Sequence, residues 1–517
     1  MSGPPDATMP PRSLHTLLAG LDAPQVFGDA DCTVTDVAFD SRAVMPGGLF
    51  VALRGGYADG HRFIGDAVKR GAVAVLVEEA VDAPPGIRVQ VIVPDTRAAL
   101  AVVGANWYEH PANDLTVIGV TGTNGKTTTT AMITDVLDAA GLRSAFLGTV
   151  EIKLGPERWP NPNHQTTPES LHVQRFLRQA VAARCTHAVL EATSHGLAMH
   201  RLDALPVDVA VFTNLSHEHL EYHKTFAAYL AAKRVLFARL NVAPERGTAR
   251  WAVVNDADPH ADDFLAAAPD ATSLRYGIGT ETPIAAINVM ELPEQTAFTL
   301  QTPTGAATVY LHTLGTYNVL NALAAAAVGH AQGIDAETIA AGLGAFTDVA
   351  GHLERVEMGQ PFAVVVDFAH TPVAFEALFG LLRRTTQGRL AVVFGSAGER
   401  DTAKRPMQGA IAARYADFAL FTNEDPRFED AEAILHEIAA GARQERPDWR
   451  EGEQYVCITD RAAAIGAAFD WAAPGDTIAL IGKGHEHSII IGAEALPWDE
   501  ASVARDALRA RGYTGGT

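Results

Sequence analysis

Short apolar runs alternate along the chain with longer Ala- and Leu-rich stretches, and the two differ in length and period. Gly48–Leu53, Val73–Val77, Leu115–Val120, Thr186–Leu190 and Asp208–Phe212 are each only a few residues long and rich in Val, Ile, Leu or Ala. Phe362–Val366, Leu390–Phe394, Phe418–Phe421 and Ile478–Ile481 continue the series. Nearly unbroken apolar runs of this length are strands covered on both faces. Alternation with helical stretches predicts parallel sheets with helical crossovers, an α/β class.

Two polar joints, Pro111-Ala-Asn-Asp114 and Asp348-Val-Ala-Gly-His352, break the pattern into three blocks. We therefore expect domains at 1–111, 112–347 and 348–517. The 517 residues agree with this, at about 150 residues per domain. There is no repeat at solenoid spacing.

Composition narrows the partners. Lys and Arg number 40 against 61 Asp and Glu, a net charge of −21. A basic face for nucleic acid or an anionic membrane is not expected, although a few local groups can still bind an anionic small molecule. Cys32, Cys185 and Cys457 form no CxxC pair, so neither a disulfide framework nor a thiolate metal site is indicated. The start, Met1-Ser-Gly-Pro-Pro-Asp, lacks the basic and apolar segments of a signal peptide, and no 18-residue apolar window occurs. A cytoplasmic location is expected.

The chemistry begins in the second block. Val117–Val120 leads into Thr121-Gly-Thr-Asn-Gly-Lys-Thr-Thr128 and then a helical run to about Gly141. Strand, glycine-rich loop and helix form a phosphate-binding context, in which glycines admit phosphate oxygens to the backbone amides. The strict Gly-x4-Gly-Lys-Ser/Thr pattern fails at Val120, but Lys126 and Thr127 keep their places for outer phosphates and Mg²⁺. Glu191 and Asn214 end neighbouring strands and should face the same loop. A carboxylate suits Mg²⁺, which prefers oxygen. His217, His219 and His223 fit polar surface, or one histidine beside a magnesium site, better than zinc.

Lys233 is the unusual residue. Phe226, Leu230 and Phe237 share a face of the helical stretch Thr225–Leu240, with Tyr229 and Leu236 flanking and Lys233 in the middle. Two readings stand: a stem that snorkels to water, or a lysine held beside metal and substrate and chemically modified.

Together these residues resemble the Mur ligase family over essentially the whole chain. The marks are Asp40-Ser-Arg42, Gly48–Val51, Asp59-Gly-His61, Gly122–Thr128, Thr166-Thr-Pro168, Ser194-His-Gly196 and Asn214-Leu215. They continue in order with Tyr317–Asn321, Asp367, Ala369–Pro372, Lys404-Arg-Pro406 and Gly482–Glu486. The resemblance implies a nucleotide-sugar domain, a central P-loop ATPase-like domain and a C-terminal Rossmann-like domain. It also implies ATP-dependent amide ligation through an acyl phosphate, adding the third amino acid to UDP-N-acetylmuramoyl-L-alanyl-D-glutamate in peptidoglycan synthesis.

By the same resemblance Gly122, Thr123, Asn124, Gly125, Lys126, Thr127, Thr128 and Asn318 would bind ATP, with Asn318 on the adenine side. Mg²⁺ would contact Thr127, Glu191, His219 and Lys233, the last as a carbamate. Ser41, Thr166, Thr167, Thr193 and Arg201 would hold the nucleotide sugar. Arg400, Asp425, Arg427, Gly482 and Glu486 would hold the incoming diamino acid. A monomer is expected.

The third block supports a site independently, since four of its strands end in polar strings. Its specificity reads two ways. Arg427 favours the distal carboxylate of diaminopimelate, whereas Asp425, standing where that branch of the family has asparagine, favours the bare ammonium of lysine or ornithine. Further departures from the family are His352 for arginine, Phe368 for tyrosine, Met199 for glutamine and Glu218 for aspartate. A folylpolyglutamate-synthetase-like ligase is disfavoured by the first block, and a scaffold without catalysis by Lys126, Glu191 and Lys233.

Overall fold

The computed structural model describes residues 7–515 except 56–58, 83, 162–164, 217, 243–248, 280, 293–294 and 347–350. His217 and most of the joint expected at 348 lie outside the described residues. The α/β expectation holds in three sheets.

The first is five-stranded, in the order Gln25–Gly28, Val89–Ile92, Ala74–Val77, Leu49–Val51, Val37–Ala38. All its pairs are parallel except the one made by Gln25–Gly28. Helix Thr96–Trp107 covers one face, and its Leu100 and Val103 share an apolar cluster with Leu171 of the following block. The helices meet closely because Gly104 has no side chain: a Cβ there would lie 3.4 Å from the Leu171 Cα.

The central sheet has eleven strands. Its middle is parallel, in the order Ser144–Leu147, His187–Glu191, Thr116–Thr121, Val209–Phe212, Trp251–Asn255, Thr272–Ile278, Ile284–Glu291. Antiparallel hairpins extend it at both ends. Both faces of Thr116–Thr121 are buried, as its unbroken apolar run predicts. Ile118 and Val120 pack under helices Lys126–Ala139, Thr316–Ala331 and Ala336–Ala345. Val117 packs on the other side, against helices Ser170–Ala182 and Phe226–Val242. The strand therefore ends in mid-sheet, and its loop opens where neighbouring strands also end.

The third sheet runs Glu354–Arg355, Ala363–Asp367, Thr477–Ile481, Leu390–Phe394, Phe418–Phe421, Tyr455–Cys457, the last five parallel. A hairpin, Ser488–Ile491 with Glu494–Pro497, follows it. The apolar clusters of this sheet draw only on residues from Leu353 onward. Among the described residues no helix is long and apolar enough to cross a membrane.

One expectation is corrected. The buried face of helix Phe226–Val242 is Tyr229, Ala232, Lys233, Leu236, Phe237 and Leu240, while Phe226 and Leu230 are only partly covered. The face is thus turned toward Tyr229 and Leu236, the residues expected to flank it. Leu236 decides the rotation: it fills the space over Gly119, where a Cβ would lie 2.7 Å from the Leu236 Cδ1.

Candidate active site

The loop after Thr116–Thr121 depends on two glycines. Gly122 has φ +152°, and a Cβ there would overlap the Thr213 hydroxyl at 1.9 Å. Gly125 has φ +82° and would meet Asn321 Oδ1 at 2.3 Å. Asn214 fixes the span between them, because its Oδ1 accepts from the Asn124 amide and its Nδ2 donates to the Asn124 carbonyl, both at 3.0 Å. Thr213 Oγ1 donates to the same carbonyl at 2.7 Å. The Thr123 hydroxyl lies 2.9 Å from the Tyr229 hydroxyl, which ties the loop to the lysine-bearing helix.

Two lysines converge on this loop. Lys126 Nζ donates to the carbonyls of Gly122 (3.0 Å) and Thr123 (2.8 Å), and Lys233 Nζ donates to the same Gly122 carbonyl at 2.7 Å. Lys233 is 1% exposed and lies over the Tyr229 ring, 4.7 Å from its centre. Burial, then repulsion from Lys126, holds its pKa well below the ordinary lysine value, with Glu218 opposing. Burial likewise lowers Lys126, against Glu191 and Glu218.

Glu191, 1% exposed, ends the strand beside the loop. It accepts from Thr127 Oγ1 at 2.9 Å, from the Thr149 amide at 2.8 Å and from the Thr149 hydroxyl at 3.2 Å. Burial raises its pKa, and these donors and Lys126 only partly offset the rise. Oxygen donors around a buried carboxylate are the chemistry of a hard divalent cation. His219 sits in left-handed backbone at φ +57°, its ring 4.6 Å from that of His195 and 6.2 Å from Tyr229. Among the described residues no three His, Cys, Asp or Glu side chains gather as a metal site by themselves.

Thr128 lies in the first turn of the helix after the loop. Asn318, 5% exposed, donates to the Thr313 hydroxyl (2.9 Å) and the Leu314 carbonyl (2.8 Å). Its Oδ1 accepts from Asn321 at 3.1 Å, linking it to the loop through Gly125.

Four of the residues expected at the nucleotide sugar form a connected patch. The Thr166 hydroxyl lies 3.0 Å from Thr149 Oγ1, Thr167 Oγ1 donates to the Glu191 carbonyl (2.8 Å), and Thr193 donates to Thr167 (3.0 Å). Arg201 donates to the Thr167 carbonyl (2.9 Å) and pairs with Glu169 (2.9 Å). Glu169 is shared with Arg97 of the first domain, also at 2.9 Å. Ser41 is buried in a short turn of the first domain and makes no hydrogen bond to this patch.

In the third domain, Lys483 Nζ contacts Asp425 Oδ1 at 2.9 Å and Glu486 Oε2 at 2.5 Å, its side chain fully buried. Burial works against the ammonium, but Glu486 and Asp425 outweigh it and hold its pKa above the ordinary value. Burial pushes Glu486 up to about 7, with Lys483 opposing. Asp425 Oδ1 also accepts from the Ile490 amide at 3.0 Å. Arg427 has φ +54°, bonds Ile490 only through its backbone, and leaves Nε without a hydrogen-bond partner. Gly482 has φ +103° against Glu424, and Arg400 is exposed beyond the strand Leu390–Phe394. His352 and Phe368 stand in a half-buried group with His370 and His485, the rings of His352 and His485 stacked at 5.5 Å.

Sequence reasoning passed over Thr149 and Lys483. Thr149 bonds a carboxylate 42 positions away, which no local pattern reveals. Lys483 lies within the Gly482–Glu486 string, so a signal for it was present.

Three family models match in sequence order: "Mur ligase family, catalytic domain" at 33–108, "Mur ligase middle domain" at 120–329 and "Mur ligase, glutamate ligase domain" at 351–484. A relative from Roseiflexus sp. (strain RS-1), named UDP-N-acetylmuramyl-tripeptide synthetase, is 46% identical over 97% of this chain and 100% of its own. The chain belongs to the Mur ligase family. This Mur ligase is also 40% identical to a UDP-N-acetylmuramoyl-L-alanyl-D-glutamate--2,6-diaminopimelate ligase from Geobacillus kaustophilus (strain HTA426), over 96% of the chain and 100% of the relative. A solved structure with that ligase name is 29% identical, with TM-score 0.63, covering 93% of this chain and 96% of the other. Membership makes the protein an ATP-dependent amide ligase, and the three-domain α/β architecture is that of the family.

Proposed function

We propose that this Mur ligase joins a diamino acid, meso-diaminopimelate, to the D-glutamyl γ-carboxylate of UDP-N-acetylmuramoyl-L-alanyl-D-glutamate. The observation that carries the reading is the convergence of Lys126 and Lys233 on Gly122, beside the Glu191–Thr127 pair. Phosphoryl transfer demands positive charge and close positioning more than covalent chemistry, and this loop supplies both.

Lys126 and the amides of Gly122, Thr123, Asn124 and Gly125 hold the ATP phosphates with Thr127 and Thr128, and Asn318 takes the adenine side. Thr166, Thr167, Thr193, Arg201 and Ser41 hold the nucleotide sugar. The donors fit Mg²⁺: Thr127, Glu191 and His219 would hold it, with Lys233 as a carbamate. Carbon dioxide adds only to a neutral amine, and the lowered pKa of Lys233 supports that modification. When bound, Mg²⁺ neutralises charge on the phosphates.

The γ-phosphoryl group passes to a carboxylate oxygen and ADP leaves. The amino group then attacks the acyl carbon, phosphate departs, and the nitrogen loses a proton. Water would destroy the acyl phosphate, so the third domain serves as a cover as well as a binding surface. Arg400, Asp425, Arg427, Gly482 and Glu486 receive the amino acid there. The proposed working form is a monomer in the cytoplasm, without nucleic acid or membrane.

Arg427 favours a distal carboxylate. Asp425 supports the second reading, lysine or ornithine, but its Oδ1 is already engaged by Lys483 and the Ile490 amide. The test is ATP hydrolysis with bicarbonate and Mg²⁺, in which turnover requires both the UDP-dipeptide and an amino acid. Diaminopimelate is expected to exceed lysine and ornithine, and no turnover with any of the three refutes the ligase reading. Lys233→Ala is expected to be nearly inactive and partly rescued by short carboxylic acids; a fully active variant removes the carbamate.

A further inference from the structure

Arg461 is a fully buried charge that the ligation chemistry leaves unused. It opens helix Arg461–Trp471, and its side chain and that of its partner Glu500 are both 0% exposed. A guanidinium keeps its charge, so its five N–H donors must be satisfied inside the protein. Nε donates to Glu500 Oε2 at 2.9 Å and Oε1 at 3.1 Å, and Nη2 donates to Oε1 at 2.6 Å. The remaining contacts go to backbone carbonyls: Nη1 to Asn423 at 3.0 Å and Nη2 to Ile481 at 2.9 Å. Trp498 Nε1 donates to Glu500 Oε2 at 2.6 Å and completes the set.

Each of those two carbonyls stands at the threshold of the amino-acid pocket. Ile481 ends the strand Thr477–Ile481, and Asn423 lies just beyond Phe418–Phe421. The two strands are not neighbours, since Leu390–Phe394 runs between them. Directly after the carbonyls come Gly482-Lys483 and Glu424-Asp425, the two strings that Lys483 bridges. One guanidinium therefore sets the distance across the pocket wall. Its anchor reaches the same wall from the other side. Trp498 closes the hairpin through its amide to the His487 carbonyl at 2.9 Å, and the hairpin's Ile490 bonds both Asp425 and the Arg427 amide at 3.0 Å.

Charge balance alone does not call for this arrangement. A buried ion pair is a weak source of stability, and apolar residues of similar volume often serve as well. The distinguishing feature is a pair of donors spent on two separated strand ends. We infer that Arg461, held by Glu500 and Trp498, is a positioning residue that sets the affinity of the pocket for the incoming amino acid. The inference rests on the ligase reading of that pocket.

The test is steady-state kinetics on the full chain with each of the three substrates varied in turn, beside thermal unfolding. Arg461→Lys keeps the charge and loses the fork; its KM for the amino acid is expected to rise roughly tenfold, with those for ATP and the UDP-dipeptide within about twofold. Trp498→Phe is expected to raise the same KM about threefold. Lower Tm with all three KM values unchanged overturns the inference and leaves Arg461 purely structural. Should Arg461→Lys fail to fold, Trp498→Phe decides by the same split. Wild-type turnover separates the two claims, because its absence refutes the ligase reading whereas unchanged KM values in active variants refute only this one.

Discussion

Replacing Gly125 by alanine, and separately Gly141, divides backbone strain from steric displacement. Gly125 stands at φ +82° and Gly141 at φ +74°, so both substitutions force an L-residue into the left-handed region. That costs roughly 1–2 kcal/mol at either position. An added Cβ at Gly141 meets nothing within 4 Å, so strain is the whole effect there. At Gly125 the Cβ would lie 2.3 Å from Asn321 Oδ1 and 3.2 Å from its Cγ, and Asn321 is only 6% exposed. Asn321 must move, and it then loses its bonds with Thr129 Oγ1 (3.3 Å) and Asn318 Oδ1 (3.1 Å). At about 1 kcal/mol net for each bond, Gly125→Ala should cost about 2 kcal/mol more than Gly141→Ala. A three-domain chain does not unfold in two states, so the cost is read by hydrogen exchange in helix Thr316–Ala331. Nucleotide affinity gives a second readout, because Asn318 loses a partner only in the first variant. It should fall more than roughly tenfold for Gly125→Ala and stay unchanged for Gly141→Ala. Equal costs and equal affinities would falsify the argument that Asn321 holds the loop.

Two further substitutions test the surroundings. Thr149→Val removes a hydroxyl from the buried Glu191 carboxylate, a bond worth about 1.5–3 kcal/mol; the Mg²⁺ concentration for half-maximal activity should rise about tenfold or more, and an unchanged requirement refutes the proposed role of Glu191. Asp135→Asn concerns stability. Burial pushes Asp135 up from 3.8 to about 6, against Arg158 and Lys153. The folded state thus holds the proton more tightly than the unfolded chain, so stability falls as pH rises from about 4 to above 6. The loss is about 3 kcal/mol, at 1.36 kcal/mol for each pH unit. The amide removes it, and Arg158 keeps Glu151 as a partner. Hydrogen exchange in helix Lys126–Ala139 should find Asp135→Asn more protected than wild type at pH 7.5 and nearly equal at pH 4, after correction for intrinsic exchange; a less protected variant at pH 7.5 overturns this.

The legible parts of this molecule were those whose partners lie nearby in sequence or whose backbone demands are narrow. Gly122 and Gly125 could be read because only glycine suits their dihedrals, and Lys126 and Thr127 because they follow such a loop. Lys233 announced itself as a cation on an apolar face. Helical periodicity put Phe226, Leu230 and Phe237 on its face, while the rotation is set by Leu236 fitting over Gly119, more than a hundred positions away. The groups holding Glu191 and Arg461 were hidden for the same reason. A threonine in a turn and an arginine after a helix cap look like surface residues until the sheet brings distant strand ends together.

Leu171 gives the domain count a different meaning in the calorimeter. It belongs to the second stretch of chain yet completes the apolar cluster of the first, and Glu169 two residues earlier joins arginines from both. Neither body can melt and leave the other's interior intact. The clusters beyond Leu353 borrow nothing in this way. A molecule built on three large sheets should therefore absorb heat as two cooperative units. Limited proteolysis should release the C-terminal body whole, and should never release the N-terminal one without unravelling what it was docked against.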